Sequence, residues 1–545
     1  MQAQAYVLGS VVGLTVCASG CAALLGLDTF VDQSTDGAGA GGAGGAGSAG
    51  GAGDDGEPTA CTPDTSEACY VGPPITQNKG VCRGGMRTCD TDGTWGICEG
   101  EVVPGVERCD AADDENCDGL ECVVWTTAYK QTGDIYLMDI AGDAEGNVFA
   151  SGAFMNTITI GDDTLSSSST TDVLLLKLNP AGEPLWAKNF GDYLTDEPNV
   201  LVVDSKGNPI LVGTSSGGID FGDGQLPAGT FIAKLDASGK PVWSMGLPGG
   251  GIGAVAIDAN DRIIVAGKFS RSIDLGSGPI QPGDDSDVFV AKLDGATGLV
   301  TAPGCWVRTF VGDNATMRII DIAVDRSNNI FIAGSTLETA ELDRFTIDKG
   351  SFVMKTTPSG APDWLRKMYA LEPLPASVDV MGITVDPLGR PVLAGYHTGD
   401  VKIGSSTITS IDQDVFVVQF EANGAAGWVR TFGGAKDQWA RDIAMDPFGN
   451  AVIVGNATGQ IDFGNGPLAL EDSSGFVAKI GPDAELVWKR LLGKDTVGYA
   501  VAVTPDGETL VAGWTRANAA DWGAGPIPGL GDNDRQHLIV GKLGR

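Results

Sequence analysis

Seven tryptophans, Trp125, Trp186, Trp243, Trp306, Trp364, Trp428 and Trp488, recur at intervals of 57 to 64 residues. A fixed period constrains a chain strongly. Each unit must adopt the same supersecondary structure and bury its faces on its neighbours. Here each unit holds four apolar runs of strand length separated by turn residues. The first run ends at an Asp and the second at a Gly, as in Asp321-Ile-Ala-Val-Asp325 and Asn329-Ile-Phe-Ile-Ala-Gly334. A third run such as Asp287-Val-Phe-Val-Ala-Lys-Leu293 precedes the run that carries the Trp. The inner runs are nearly continuous Val, Ile, Leu and Ala, the pattern of strands buried on both faces. Radially stacked four-stranded sheets meet that demand, whereas a sandwich leaves alternating polar positions. The expected fold is all-β: a seven-bladed β-propeller over residues 123–545.

The turn between the first two runs has a chemical signature. It reads Asp143-Ala-Glu-Gly146, Asp204-Ser-Lys-Gly207, Asp258-Ala-Asn-Asp261, Asp325-Arg-Ser-Asn328, Asp386-Pro-Leu-Gly389, Asp446-Pro-Phe-Gly449 and Thr504-Pro-Asp-Gly507. The fourth position is always Gly, Asn or Asp, which tolerate positive φ. Asp or Thr first and Pro second suit a type I turn within a three-residue hairpin. These Asp residues are read as turn formers that bond their own backbone, not as metal ligands. At the two ends, Val123–Tyr129 is a fourth run with nothing before it, and Gln536–Leu543 is a third run with nothing after it. Their pairing would close the last blade and remove two exposed edges.

The units resemble the bacterial SBBP-type β-propeller repeat, most closely at Trp428-Val-Arg-Thr-Phe-Gly-Gly434, Asp442-Ile-Ala-Met-Asp-Pro-Phe-Gly-Asn450 and Ile461-Asp-Phe-Gly464. The resemblance implies the propeller fold and leaves function open, since propellers serve as enzymes, receptors and scaffolds.

Residues 1–122 read as three further parts. Ala5–Val16 is a short apolar run of signal-peptide type, so residues 1–20 are expected to be a lipoprotein signal. Ala18-Ser19-Gly20-Cys21 resembles a lipobox, which implies lipidation at Cys21. Gly37–Gly53 contains only Gly, Ala and Ser and cannot bury enough surface to fold, so residues 21–60 are a flexible tether. Residues 61–122 hold Cys61, Cys69, Cys82, Cys89, Cys98, Cys109, Cys117 and Cys122. A dense, even set in an exported chain implies a disulfide module with four bridges, and Cys305 is left as a free thiol. Asp110, Asp113, Asp114, Glu115, Asn116 and Asp118 place six oxygen donors beside a Gly turn, a set that suits calcium. Asp90-Thr91-Asp92-Gly93 is a smaller version that reads as a turn. The module resembles the MopE-like metal-binding module of bacterial surface proteins, and calcium is the one cofactor it implies.

Charge narrows the function classes. The chain carries 70 acidic and 35 basic residues, a formal net charge of −35. Such a surface repels nucleic acid and anionic lipid, so membrane attachment is expected through the lipid anchor alone. Only His397 and His537 are available as imidazole bases. The expected class is a non-catalytic binding or scaffolding protein of the cell envelope, on the outer membrane or the extracellular surface, with a protein or glycan partner. A propeller polysaccharide lyase or hydrolase, and a metal-binding surface protein working through the Cys module, are the alternatives. The loops after the second strand and before the first gather on one face. There Tyr396, His397, Trp439, Asn456, Trp514 and Arg516 break the repeat with aromatic and polar groups, and they form the candidate ligand site.

Overall fold

The computed structural model describes residues 61–105, 117, 123–283, 286–310, 316–371, 376–464, 466–470, 473–516, 522 and 535–544, all within one compact unit, Ala60–Arg545. Beyond one short 3₁₀ turn, Pro74–Thr76, the regular elements are strands. The architecture is all-β and propeller-like. Repeat 3 shows the plan: Gly250–Ile257, Ile263–Phe269, Asp287–Leu293 and Trp306–Phe310 pair antiparallel in chain order. Repeats 4 and 5 follow the same plan, and their sheets are joined where Pro362–Ala370 pairs with Pro391–Ile403. Among the described residues no sheet closes on itself. Val123–Ala128 pairs antiparallel with His537–Leu543, so the fourth strand of repeat 7 comes from the other end of the repeat array.

Neighbouring sheets share apolar cores. Phe149, Val173 and Leu175 of repeat 1 pack on Leu201, Leu211 and Phe231 of repeat 2. Ile140, Val148 and Leu174 on the other face of repeat 1 pack on Leu510, Leu538 and Val540 of repeat 7. Both faces of each inner strand are therefore buried, which is why the inner runs lack alternation. The strand-ending Gly has a steric cause. Every first strand carries a bulge, with Met138, Asn199, Gly253, Ile320, Met381, Arg441 and Tyr499 as the extra residues. A bulge bends the strand and pushes a carbonyl toward its partner. A Cβ at Gly455 would lie 1.9 Å from the Trp439 carbonyl oxygen.

The periodic Trp residues tie each sheet to the next. The indole Nε1 of Trp125, Trp186, Trp243, Trp306, Trp364 and Trp428 donates to a carbonyl in the following repeat's third-to-fourth turn, on Pro180, Ala237, Gly295, Pro358, Ala422 and Pro482. Trp488 is the exception, since its buried Nε1 has no acceptor. Repeat 7 draws its third and fourth strands from distant segments, so no turn joins them.

In the Cys region three disulfides form: Cys61–Cys89, Cys69–Cys98 and Cys82–Cys117. Cys109 and Cys122, the remaining two of the expected eight, lie outside the described residues. Cys305 is a half-buried free thiol. Asp90–Gly93 is a turn, with Gly93 N–H donating to the Asp90 carbonyl and Asp92 Oδ1 accepting from Thr94.

Candidate functional site

Two ends of the same strands carry chemistry. At the turn end, Asp143 Oδ1 accepts from the Glu145 and Asn147 N–H groups, while Gly146 takes φ +80°. Asp204, Asp258, Asp325, Asp386 and Asp446 repeat that bonding. The second carboxylate oxygen does more than the turn requires. It meets a buried Lys from the third strand in the pairs Lys177–Asp143, Lys234–Asp204, Lys292–Asp258 and Lys479–Asp446, at 2.7 to 3.4 Å. Three repeats depart and compensate. In repeat 4 Lys355 donates to the Ala422 carbonyl, and Asp325 Oδ2 accepts from Asn329 Nδ2. Repeat 5 has Gln419 at the Lys position, and Asp386 pairs with Arg390 at 2.6 Å instead. Repeat 7 has Thr504 at the Asp position, and Lys542 turns to Glu508 at 2.6 Å. Sequence reading recognised the Asp and passed over the Lys, although it is the next-to-last residue of the third run in most repeats.

Between the turns opens a cavity of about 770 Å³ lined by residues of the first strand of every repeat. At its inner end stand Asp139, Asp321 and Asp442, each just after a first-strand bulge. One oxygen of each accepts from the next residue's N–H, on Ile140, Ile322 and Ile443. The other reaches the following repeat, accepting from Leu201, Ile383 and Val501 at 2.8 to 2.9 Å. Each carboxylate therefore latches two sheets together. Solvent reaches part of these side chains through the cavity, yet protein surrounds the carboxyls. Burial pushes Asp321 up to about 7 and Asp442 to about 6. Burial, then the charge of Asp442, holds Asp139 well above the ordinary carboxylate range. Among the described residues no three His, Cys, Asp or Glu side chains are grouped to hold a metal ion.

At the loop end the structure brings several expected residues together and separates one. Tyr396 stands across from Asp379 in the ladder. Burial raises its phenol, with the Asp379 charge adding to the rise and Arg441 opposing it. Arg441, the bulge residue of repeat 6, donates from Nε to Asn456 Oδ1 at 3.1 Å and lies 5.9 Å from the Tyr499 ring centre. Trp439 faces Asn456 across the ladder and donates from Nε1 to Gln413 Oε1. Trp514 and Arg516 form their own pair, with the guanidinium 5.3 Å from the indole centre.

His397 does not belong to this surface. Successive strand residues point to opposite faces, and beside half-buried Tyr396 the His397 side chain is wholly buried, edge-on to Phe416. Burial lowers its pKa to about 4, so it is neutral at pH 7. Asn456 is also buried and serves to hold Arg441. Sequence reading missed Arg441 and Tyr499. Their signal is positional: both fill the bulge site, where the other repeats carry Met, Asn, Gly, Ile and Met. Cys21 and the acidic run Asp110, Asp113, Asp114, Glu115, Asn116 and Asp118 lie outside the described residues.

A family model for the SBBP β-propeller repeat matches residues 306–339. An uncharacterized WD repeat-containing protein of Acanthamoeba polyphaga mimivirus is 28% identical over 177 residues, which is 28% of this chain and 12% of that protein. The chain therefore spans about an eighth of that relative. Among solved structures, virginiamycin B lyase from Staphylococcus aureus is 9% identical, with 77% of this chain and 98% of that chain covered and a TM-score of 0.41. Regucalcin, a calcium-binding protein from Agrobacterium tumefaciens, is 16% identical over 64% of this chain and 91% of that chain, with a TM-score of 0.32.

Proposed function

We propose that the chain is a non-catalytic binding or scaffolding protein of the cell envelope. Its platform is a closed propeller of seven blades, carried on a lipid anchor at Cys21 behind the tether and the disulfide module. Closure is supported by contact between the first strands of repeats 7 and 1, and by the Trp125 bond to Pro180.

The observation that carries the binding reading is the convergence of Tyr396, Arg441, Asn456 and Tyr499 from three adjacent repeats at the loop end. A partly satisfied Arg among aromatic rings, with Trp514 and Arg516 in the next repeat, suits a ligand that offers carboxylate or hydroxyl acceptors and a flat or apolar face. That chemistry fits an acidic or neutral glycan. A glycan array followed by product analysis on any hit tests both parts. Binding without turnover that falls about tenfold or more in Arg441→Ala and Trp514→Ala is the expected result. Bond cleavage would replace the binding role with an enzymatic one, and unchanged binding in both variants would move the site elsewhere.

A further inference from the structure

At the turn end, the third turn position reads Glu145, Lys206, Asn260, Ser327, Leu388, Phe448 and Asp506 around the repeats. Leu388 is 72% and Phe448 62% exposed. No other repeat presents an apolar residue there, and these two are neighbours. A Cβ on Gly449 would lie 3.7 Å from Pro387 Cδ, so the turns of repeats 5 and 6 touch. Proline fills the second position only in repeats 5, 6 and 7, as Pro387, Pro447 and Pro505. The result is an arc of three rigid turns, two of them with apolar tips. Nothing in the folding of the turns calls for Leu or Phe, because the polar residues at this position in the other repeats serve equally. Fixed φ at the prolines also means that the arc loses little freedom on contact.

The arc rims the acidic cavity. Its lining includes eight aspartates, namely Asp139, Asp143, Asp204, Asp321, Asp325, Asp386, Asp442 and Asp446, and a single basic residue, Arg326. Asp143, Asp204, Asp386 and Asp446 are offset by Lys177, Lys234, Arg390 and Lys479. Asp139, Asp321 and Asp442 accept from backbone N–H groups alone. An exposed apolar patch beside uncompensated carboxylates selects a partner by both properties. A purely apolar partner leaves the charge unanswered, and an acidic partner is repelled by the aspartates of this cavity.

We propose that the turn end of repeats 5 to 7 docks a protein segment in which apolar side chains alternate with Lys or Arg, the apolar groups packing on Leu388 and Phe448 and a cation entering the cavity beside them. This surface is separate from the loop-end site, since it lies at the opposite ends of the same strands, and either can fail without the other.

The test uses the full chain and three fluorescein-labelled peptides: alternating Leu and Lys, alternating Leu and Glu, and alternating Ser and Lys. Fluorescence anisotropy should show the Leu/Lys peptide binding about tenfold or more tighter than either of the others, and weakening with added salt. Phe448→Asp and Leu388→Asp should each abolish that preference. Both side chains are exposed, so the variants should fold as the wild type does. Leu185→Asp, an exposed site in repeat 1, should leave binding unchanged. The proposal is overturned if the Ser/Lys peptide binds as well as Leu/Lys, which would mean charge attraction alone. It is equally overturned if Phe448→Asp binds like the wild type or Leu185→Asp weakens binding as much. Sedimentation provides the last check. If the wild type self-associates and Phe448→Asp makes it monomeric, the arc is occupied by a second copy and the peptide proposal falls.

Discussion

At the scale of single residues, the buried Lys–Asp pairs are the feature with the sharpest consequences. Lys292 is 2% and Asp258 1% exposed in their side chains, at 3.1 Å. Removing one partner of a buried pair leaves a charge without compensation and typically costs about 3–5 kcal/mol. Lys292→Met should lower stability by that order in urea titration. Lys292→Met combined with Asp258→Asn should recover much of the loss, because the orphaned charge is gone. The cavity carboxylates make a different prediction. Asp321 and Asp442 have folded-state pKa values raised to about 7 and about 6. A raised carboxyl pKa means that the folded state holds the proton more tightly, so this stabilisation is present in acid and is lost as pH rises through 6 to 7. General repulsion within an acidic chain acts in the same direction, so the informative quantity is a difference. The melting temperature of the wild type should exceed that of Asp321→Asn most at pH 5, and the gap should shrink by pH 8. A gap independent of pH would mean that Asp321 does not titrate in that window.

At the scale of strands and turns, much was legible. The Asp-to-Gly hairpins, the buried inner strands and the Trp period all follow from local rules that repeat along the chain. What was not legible arises where two repeats meet. Lys292 is read in isolation as the polar end of a strand, and only the hairpin beside it shows why it is buried. Arg441 and Tyr499 look like ordinary first-strand residues until the bulge sets their position. His397 was misplaced because adjacency in sequence to Tyr396 puts it on the other face of the strand. The indole bonds offer a test within one molecule. Trp306→Phe removes an Nε1 bond to Pro358 and should cost about 1 kcal/mol beyond the loss of packing area. Trp488 is 1% exposed, so Trp488→Phe removes more packed volume, but the donor it removes has no acceptor, and its loss in the same denaturant titration should be that of packing alone. A Trp306→Phe loss no larger than its packing area accounts for would show that packing alone, and not the indole bond, ties the sheets together.

At the scale of the whole molecule, the seam between the two ends of the repeat array decides how the array behaves as one body. His537–Leu543 is buried along its full length, and its outer edge is covered by Val123–Ala128 through the pairs from Val123–Leu543 to Ala128–Ile539. Trp125 then carries the connection onward to Pro180 in repeat 1. A chain lacking residues 1–122 keeps this strand and should melt cooperatively. A chain lacking residues 1–128 loses it, and the change is larger than six residues of burial. It uncovers an apolar strand edge with unpaired N–H and C=O groups, the arrangement most prone to pair with another chain. It also removes the only indole hydrogen bond between repeat 7 and repeat 1 among the described residues. The shorter chain should therefore self-associate in sedimentation and melt at a lower temperature than the longer one. A synthetic peptide of residues 123–129, added in excess, should return it to a monomer by filling the vacant edge, because binding to the folded form alone stabilises it by mass action. If the chain lacking residues 1–128 stays monomeric and melts like the longer one, the seam strand is dispensable and the array holds without closing on itself.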